Sequence, residues 1–411
     1  MHEHATQSRM HAHHSVKRFL FIISDTGGGH RASANAVQDA LHRLYGVNVA
    51  VEIVDIFTEM DRWPFSHFPD WYPHAVSMNA IPWAVAYHLS NRVRLMKTMS
   101  RIVWPYARKA LCAVLRQHPA DVIVSFHPIP CYSLQMATRY LGWNTPIATV
   151  AVDLVTAHAS WFVPGSQMYL VPTEAAKERA IRFGLPGALV TVTGMPTRHS
   201  FTEAMHLSRS AARTLLHIPQ DVPVVLVVGG GEGMGPLGHV VKALAHQQIS
   251  AHIIAIAGRN QSLYEELTST DYPIPIHVKG FVDNMHVWMR AADILVTKAG
   301  PNTLSEAFIS ELPIVMYTAL PGQEEGNVTH VVSNGAGVWT PHPSLTARTV
   351  KYLVQHPEAR QRMAEKSRAL ARPYASQQIA RNLWALIAPL SAKNIPDLQQ
   401  VYSDAHPTQP I

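Results

Sequence analysis

The chain has 411 residues, of which 47% are hydrophobic and 15% are charged, and its formal net charge is +6 with a sequence pI near 9.3. This length exceeds the size at which single cores usually stop growing, so two domains of about 150 to 200 residues are expected. No run of roughly 18 residues is free of polar groups and breakers, which argues against a membrane-spanning helix, whereas the positive charge favours nucleic acid, a nucleotide diphosphate or an anionic membrane surface as partner.

The first 15 residues contain five histidines and no apolar stretch. They are predicted to form a disordered His-rich tail, and they are neither a secretory signal nor a transit peptide, so a cytoplasmic location is expected. Cys112 and Cys131 lack CxxC spacing, which predicts buried thiols and indicates neither a disulfide framework nor a zinc site.

Short apolar runs alternate with helical patterns through the first half of the chain. The predicted strands cover residues 18–24, 49–56, 122–126, 146–152 and 168–171, and the predicted helices include 32–45, 106–117 and 174–183. Such alternation is typical of a doubly wound parallel α/β domain. We assign residues 16–198 to this first domain.

The same alternation returns after a polar stretch at 195–209. Strands are predicted at 222–228, 252–257, 276–278, 294–297 and 314–316, with helices at 236–246, 302–310 and 326–334. Residues 199–375 therefore form a second α/β domain in this interpretation. Residues 376–392, with a helical pattern at 383–390, are predicted to close the fold, and 393–411 to form a frayed tail.

One segment of the first half interrupts the α/β pattern. Residues 63–90 are rich in aromatic residues and proline, and the cations Arg92, Arg94, Lys97, Arg101, Arg108 and Lys109 follow them. Rings beside cations suit a membrane interface, where each Lys or Arg near anionic lipid contributes on the order of 1 kcal/mol. The alternative is an insertion that folds over the first domain as a lid or as extra core.

The second domain begins with a glycine-rich loop. The apolar run at 224–228 leads into Gly229, Gly230, Gly231, Glu232 and Gly233, and a predicted helix follows. Glycines let the backbone approach an anion closely, and free N–H groups at a helix start bind phosphate oxygens, so a diphosphate is the expected guest. A tight strand-to-helix turn without a ligand would explain the same sequence.

Three further loops of the second domain follow predicted strands. They contain Phe281 and Val282, then Lys298 to Glu306, then Gln323 to Asn327. Because open parallel sheets bind ligands at their carboxyl edge, these loops are expected to meet there. Glu306 is predicted to accept the ribose hydroxyls, and Gln323 and Glu324 those of a sugar, which together predict a nucleotide-sugar pocket.

Several of these stretches resemble the monogalactosyldiacylglycerol synthase family, relatives of the glycosyltransferase that makes the peptidoglycan lipid II precursor. The matching stretches are residues 24–34, 229–236, 297–301 with Glu306 and Ala307, and 321–328, with weaker matches at 125–128, Asp153, Leu154, His158, Trp161 and Phe162. The resemblance spans roughly residues 17 to 385. One departure is Asn302, where the family's pattern usually has Gly, and it bears on donor preference.

The resemblance implies a GT-B fold, in which two Rossmann-like doubly wound domains face each other across a cleft. The UDP-sugar would bind the C-terminal domain, through Gly229, Gly230, Gly231, Glu232, Gly233, Phe281, Val282, Lys298, Ala299, Gly300, Pro301, Thr303, Glu306, Gln323, Glu324 and Asn327. The lipid acceptor would face the N-terminal domain, through Gly28, Gly29, Pro64, His127, His158 and Trp161.

The expected reaction is inverting transfer of a hexose, most simply galactose, from a UDP-sugar to the sn-3 hydroxyl of 1,2-diacylglycerol. His30 follows the glycine loop 27–29 and is predicted to take the hydroxyl proton, with Asp153 as the rival base or the partner that orients one. No metal or other cofactor is expected, because Asp-x-Asp is absent from the cleft loops. The loop amides and the helix N-terminus would stabilise the diphosphate instead.

Other functions stay open at this point. UDP-glucose could be the donor, or N-acetylglucosamine could be transferred to a polyprenyl lipid. A non-catalytic sensor of UDP-sugar or anionic lipid belongs to a different class, and an epimerase acting on a free UDP-sugar would not need the aromatic and basic segment. Nucleic-acid binding is disfavoured because no recognised module accompanies the basic residues. The expected location is the cytoplasmic face of a membrane, as a peripheral protein.

Overall fold

A computed structural model of the chain describes residues 16–25, 28–60, 65–67, 80–233 and 235–387. The predicted tails at 1–15 and 393–411 lie outside the described residues. So do Pro64, Gly27, half of the aromatic segment 63–90 (residues 63–64 and 68–79), and residues 388–392 of the predicted closing helix.

The first half forms a parallel six-stranded sheet with the order β2-β1-β3-β4-β5-β6. Its strands are β1 (Lys17–Ile23), β2 (Val49–Asp55), β3 (Val122–Ser125), β4 (Ile147–Val150), β5 (Met168–Val171) and β6 (Val190–Val192). Its helices are α1 (Gly29–Tyr45), α2 (Ile56–Glu59), α3 (Ala80–Ser90), α4 (Val93–Gln117), α5 (Cys131–Leu141) and α6 (Glu174–Arg182).

The second half forms another parallel six-stranded sheet, in the order β12-β11-β10-β7-β8-β9. Its strands are β7 (Val224–Val228), β8 (His252–Ile256), β9 (Ile276–Lys279), β10 (Ile294–Lys298), β11 (Ile314–Thr318) and β12 (Gly337–Trp339). The helices are α7 (His199–Ala204), α8 (Arg209–Leu215), α9 (Leu237–His246), α10 (Gln261–Ser269), α11 (Met285–Ala291), α12 (Pro301–Ile309), α13 (Glu325–Ser333), α14 (Pro343–Gln355), α15 (Pro357–Leu370) and α16 (Ala375–Ala385).

Both sheets are covered by helices on both faces, which explains why their strands are continuous apolar runs. In β1, Phe19 and Phe21 pack into the core beneath α1, whereas Leu20 and Ile22 pack with the buried face of α4. The strands of the second sheet divide their side chains between two cores in the same way. The predicted α/β architecture is confirmed.

The strand orders determine where a ligand can bind. In each sheet the order reverses beside the first strand, between β1 and β3 in one and between β7 and β10 in the other. Connections leave such a switch point in opposite directions, so a crevice opens at the carboxyl ends of these strands. The loops after β1, β3, β7 and β10 therefore surround the cleft between the two halves.

The last described helix returns to the first half of the molecule. Ile379 and Leu383 of α16 belong to the core around β1, and the Trp384 ring stacks on Tyr45 with a centroid distance of 4.0 Å and an interplanar angle of 9°. The chain thus crosses between the two sheets twice, once after β6 and once before α16. The domain boundary near residue 198 stays a prediction, and it falls between β6 and β7.

Pro105 caused the largest error in the predicted elements. A helix was expected to start after it, at residue 106, but α4 begins at Val93 and continues through Pro105 to Gln117. Proline removes one backbone donor and usually kinks or ends a helix, so the sequence favoured a start there. The pattern also missed β6 and β12 and, in the second half, the helices α7, α8, α10, α11, α14 and α15. Among the described residues, no helix is long and apolar enough to span a membrane.

Candidate active site

His30 lies in the first turn of α1, directly after the glycine loop at the β1–β3 switch point. Its Nδ1 is 2.6 Å from the carbonyl oxygen of Phe126, which follows β3. A carbonyl only accepts, so Nδ1 carries the hydrogen, and the Nε2 lone pair is left available as a base in the neutral ring. Burial lowers the pKa of His30, while the Asp153 carboxylate and the Phe126 carbonyl oppose that effect.

Asp153 follows β4 and is bound from both halves of the molecule. The indole N–H of Trp161 donates to its Oδ2 at 2.7 Å, and the Gln323 amide donates to its Oδ1 at 2.9 Å. Burial raises the pKa of Asp153, although these two donors and His30 favour its charged form. Since both oxygens already accept hydrogen bonds, Asp153 is better placed to stabilise a charged His30 than to remove a proton itself.

Two of the predicted acceptor-side residues, His127 and Trp161, lie beside His30. The His127 ring lies 4.7 Å from the His30 ring, is 4% exposed, and has an Nδ1 without a partner among the described residues. Burial, and then the charge of His30, lowers the pKa of His127 well below its usual value. Trp161 is fully buried, so it acts through Asp153 and presents no ring face to a lipid.

His158 marks the side of the cleft where α3 ends. Its Nε2 is 3.1 Å from the Ser90 hydroxyl and its Nδ1 is 2.8 Å from the Ser160 hydroxyl. Burial lowers the pKa of His158 to about 4, so the ring is neutral near pH 7. It joins α3 to the loop that contains Trp161.

The two glycine loops face each other across the cleft. A Cβ built on Gly28 would lie 3.5 Å from Glu232 Oε1, and one on Gly29 would lie 3.8 Å from Asn302 Nδ2. The Asn302 amide donates to the Gly29 carbonyl at 3.3 Å. The departure from the family's pattern at Asn302 therefore lies on the cleft itself and bridges its two walls.

The second glycine loop is packed too closely for side chains. Gly233 has a φ of +59°, and a Cβ there would lie 2.1 Å from the Ala257 carbonyl oxygen. Gly230 lies beside Lys298, whose Cε would be 3.6 Å from its Cβ. Backbone amides and an ammonium group thus border the same space, which suits an anionic diphosphate.

Glu306 projects from the second turn of α12 and has no side-chain partner among the described residues. Burial raises its pKa to about 7, and the charge of Arg198 only partly opposes this. The side chain is partly buried, and such a carboxylate without donors is costly unless a ligand supplies them. Two neighbouring hydroxyls, such as those of a ribose, would do so.

The loops around Glu324 are already held by internal contacts. The Lys298 ammonium lies 2.6 Å from Glu324 Oε1, and the Leu320 N–H donates to Oε2 at 2.9 Å. The Asn327 amide donates to the Ala299 carbonyl at 2.9 Å, and its buried Oδ1 has no partner in the part of the chain that the structure describes. Glu324 and Asn327 therefore brace the donor loops. Of the other predicted donor residues, Gly300, Pro301 and Thr303 form the N-terminal turn of α12, and Val282 packs against the core beneath them.

Two arginines of the site were missed in the sequence. Arg259 follows β8, and its Nη1 lies 2.8 Å from Glu232 Oε1 while its guanidinium stacks 4.2 Å from the Phe281 ring centroid. Arg198 donates to the Asp283 carbonyl at 3.3 Å. Residues that directly follow the strands of a parallel sheet meet at its carboxyl edge, and this argument, applied to β8, could have identified Arg259. Arg198 lies in the polar stretch at 195–209, at the predicted domain boundary, and no local signal distinguishes it.

Comparison with known proteins agrees with this arrangement. Residues 30–197 match the family described as monogalactosyldiacylglycerol (MGDG) synthase, and residues 224–379 match the glycosyltransferase family 28 C-terminal domain. The chloroplastic monogalactosyldiacylglycerol synthase 3 of Arabidopsis thaliana is 35% identical over 378 residues, covering 90% of this chain and 81% of that protein. Synthase 2 of the same plant is 36% identical over 380 residues, with 90% and 80% covered.

Solved structures share the fold at much lower identity. The crystal structure of MurG from Acinetobacter baumannii matches with a TM-score of 0.57 and 15% identity, covering 90% of this chain and 99% of that one. The structure of MnaA from S. aureus with UDP matches with a TM-score of 0.60 and 15% identity, covering 92% and 99%. This likeness confirms the predicted GT-B fold. From the 35% identity to the plant proteins, the chain belongs to the monogalactosyldiacylglycerol synthase family, and it is a UDP-sugar glycosyltransferase.

Proposed function

We propose that the enzyme transfers galactose from UDP-galactose to the sn-3 hydroxyl of 1,2-diacylglycerol and inverts the anomeric centre to form a β-galactoside. The names of the similar plant proteins support galactosyl transfer to diacylglycerol. The observation that carries the mechanism is the neutral His30, whose Nδ1 is fixed on the Phe126 carbonyl while its α1 loop faces the donor-side glycine loop.

In this mechanism, Nε2 of His30 takes the proton from the acceptor hydroxyl as its oxygen attacks C1 of the sugar. The bond between C1 and the diphosphate oxygen breaks, and UDP leaves with the electron pair. The resulting imidazolium is stabilised by Asp153, which keeps its charge through the Trp161 and Gln323 donors. General-base catalysis of this kind contributes typically 10²–10⁴-fold.

We further propose that no metal ion is needed to stabilise the leaving UDP. Gly230, Lys298 and the N-terminal end of α9 lie beside the space expected for the diphosphate. Amides and cations fixed in position stabilise developing charge without reorganisation. In the part of the chain that the structure describes, no three His, Cys, Asp or Glu side chains are grouped to hold a metal.

The donor and the product are tested together. Purified enzyme is incubated with 1,2-diacylglycerol and either UDP-galactose or UDP-glucose, and the anomeric configuration and linkage of the lipid product are determined by NMR. We expect the wild type to form a β-galactosyl lipid. The His30→Ala variant should bind UDP normally, but its turnover should be slower by about 10²-fold or more. Full turnover by His30→Ala, an α-linked product, or transfer only to a polyprenyl lipid would reject the proposal. Binding of UDP-sugar without any turnover would favour the sensor.

The surface of α4 supports a membrane-bound acceptor site. Leu95, Met99, Ile102 and Tyr106 recur at helical spacing and are 37%, 50%, 73% and 46% exposed. We call these four residues the α4 stripe. Apolar side chains in one row on an exposed helix suit insertion into the interface of a membrane.

The cations of α4 favour an anionic membrane. Burial lowers the pKa of Lys97, and the charges of Arg101 and Arg139 lower it further. At about 3.6 residues per turn, Lys97 and Arg101 lie across the helix from the α4 stripe, whereas the exposed Lys109 lies on the same side as the stripe. We propose that this side of the first domain binds the cytoplasmic face of a membrane that contains anionic lipid. Ile102→Glu should reduce sedimentation with phosphatidylglycerol vesicles while leaving UDP binding unchanged. Equal binding of both proteins to the vesicles would reject this surface.

A further inference from the structure

Helix α3 of the first domain ends against a donor loop of the second. Tyr87 is 8% exposed, and its hydroxyl donates to the Thr156 carbonyl at 2.6 Å. Its ring lies against Gly322, where a Cβ would be 2.9 Å from Tyr87 Cδ1. Gly322 has a φ of +80°, in the left-handed region that favours glycine. The ring thus occupies space that exists only because residue 322 has no side chain.

The same tyrosine acts on Gln323 through a second route. The Thr156 hydroxyl donates to the Gln323 carbonyl at 2.5 Å, and the Gln323 side chain donates to Asp153 at 2.9 Å. Gly322 therefore rests on the Tyr87 ring. Thr156 links Tyr87 to Gln323, because its carbonyl accepts from the Tyr87 hydroxyl and its own hydroxyl donates to the Gln323 carbonyl. Gln323 belongs to the loop predicted to meet the sugar.

We propose that Tyr87 is a positioning residue for the sugar of the donor. It holds Gly322 and Gln323 where the amide of Gln323 reaches the sugar hydroxyls, and it does so from the acceptor-side domain. This proposal rests on the proposed function, because it assigns the loop at 321–323 to the hexose. The UDP moiety is bound elsewhere, at the glycine loop 229–233 and Glu306.

This division of contacts predicts which measurement changes. Loss of the Tyr87 ring frees the loop that contacts the sugar but leaves the UDP site intact. The affinity for UDP-hexose should therefore fall while the affinity for UDP stays unchanged. A displacement of about 1 Å at a reacting group can cost about 10²-fold in rate. A merely structural role for Tyr87 would weaken both ligands alike and lower the melting temperature.

The test compares Tyr87→Ala and Tyr87→Phe with the wild type by calorimetric titration of UDP, UDP-galactose and UDP-glucose, and by kcat and KM. We expect Tyr87→Ala to keep its affinity for UDP, to lose about tenfold in affinity for the preferred UDP-hexose, and to lose about 10²-fold in kcat/KM. Tyr87→Phe keeps the ring but loses the hydrogen bond to the Thr156 carbonyl, so its UDP-hexose affinity and its kcat/KM should lie between those of the wild type and those of Tyr87→Ala. Tyr352→Ala, which removes a 51% exposed tyrosine from α14, is the matched control and should change nothing.

A second variant keeps the proposal testable if Tyr87→Ala does not fold. Gly322→Ala places a methyl group against the Tyr87 ring, so it should lose UDP-hexose affinity while UDP still binds. In the double variant with Tyr87→Leu, part of that loss should be restored. Parallel losses for UDP and UDP-hexose, or strictly additive effects, would overturn the assignment. Wild-type enzyme that binds UDP-hexose but makes no galactolipid would reject the proposed function instead, and the two binding comparisons would still decide the role of Tyr87.

Discussion

Replacing Glu306 by Gln should stabilise the unliganded enzyme and weaken its donor binding at the same time. Burial raises the pKa of Glu306 from its usual 4.5 to about 7 in the folded protein. The folded state therefore keeps the proton more readily than the unfolded state. The stability that the protonated Glu306 carboxyl contributes is fully present below a pH of about 4.5, and it is lost as the pH rises through about 7.

The size of the effect follows from the two pKa values. They differ by about 2.5, and each unit corresponds to about 1.36 kcal/mol, so ionised Glu306 costs the unliganded protein up to about 3 kcal/mol at pH 8. Gln resembles the protonated form and avoids this cost. The variant should melt higher than the wild type at pH 8, by roughly 2–4 °C for each kcal/mol in a unit of this size. The difference should shrink toward pH 5.

Donor binding should change in the opposite direction. Hydrogen bonds to a charged group contribute about 1 kcal/mol more than neutral ones. With two ribose hydroxyls bound, the Glu306→Gln variant should therefore bind the donor more weakly than the wild type by about 2 kcal/mol, or about 30-fold in Kd. UDP-galactose suits the titration because its diphosphate has no proton to lose between pH 6 and 8. Wild-type binding near pH 6.5 should release a proton, and the variant should not.

These measurements can refute the reasoning separately. Equal melting temperatures for wild type and Glu306→Gln at pH 8 would show that the carboxylate is not desolvated. A stabilised variant with unchanged UDP-galactose affinity would show that Glu306 is buried but does not bind the ribose. Glu325→Gln, at the start of α13, is a suitable control because it also removes one carboxylate from this half of the chain.

Three further outcomes are expected. Burial lowers the pKa of His30, so the base is deprotonated at neutral pH. The value of kcat should therefore be constant around pH 7 to 8 and fall only below a pH of about 6.5. A fall in kcat that begins above pH 7 would contradict a neutral His30. Trp161→Phe removes a donor from Asp153, so kcat should fall by about tenfold with the Kd for UDP unchanged; unchanged turnover would show that the indole N–H is dispensable. Turnover should persist in EDTA, and loss of activity that magnesium restores would refute the proposed metal-free mechanism.

The fold could be predicted well because parallel strands buried on both faces leave continuous apolar runs. The runs around 18–24 and 222–228 predicted β1 and β7, and the glycine loops after them led directly to the cleft. What failed was local. The predicted helix began at residue 106, directly after Pro105, whereas α4 begins at Val93. The sequence cannot show that the backbone hydrogen bond lost at this proline is tolerated inside the helix.

The sequence names candidate residues for the site but not the contacts between them. Strand ends placed Asp153 and Gln323 in their loops, yet their hydrogen bond joins residues 170 positions apart on different sheets. Periodicity describes one element at a time, so it cannot show how two domains meet. The resemblance implied that Trp161 lies on the acceptor side, and the structure adds that its ring is fully buried with its N–H on Asp153.

Three contacts between the two halves involve residues predicted to form the site. Gly28 faces Glu232, Asn302 donates to Gly29, and Gln323 donates to Asp153. Each of these contacts joins a predicted acceptor-side or catalytic residue to a loop of the donor domain. A donor sugar bound between them would have to share or replace these partners. In the proposed mechanism, ordering of the sugar would use the same few polar groups that join the two halves, and a cleft closed around the acceptor would disfavour hydrolysis by water.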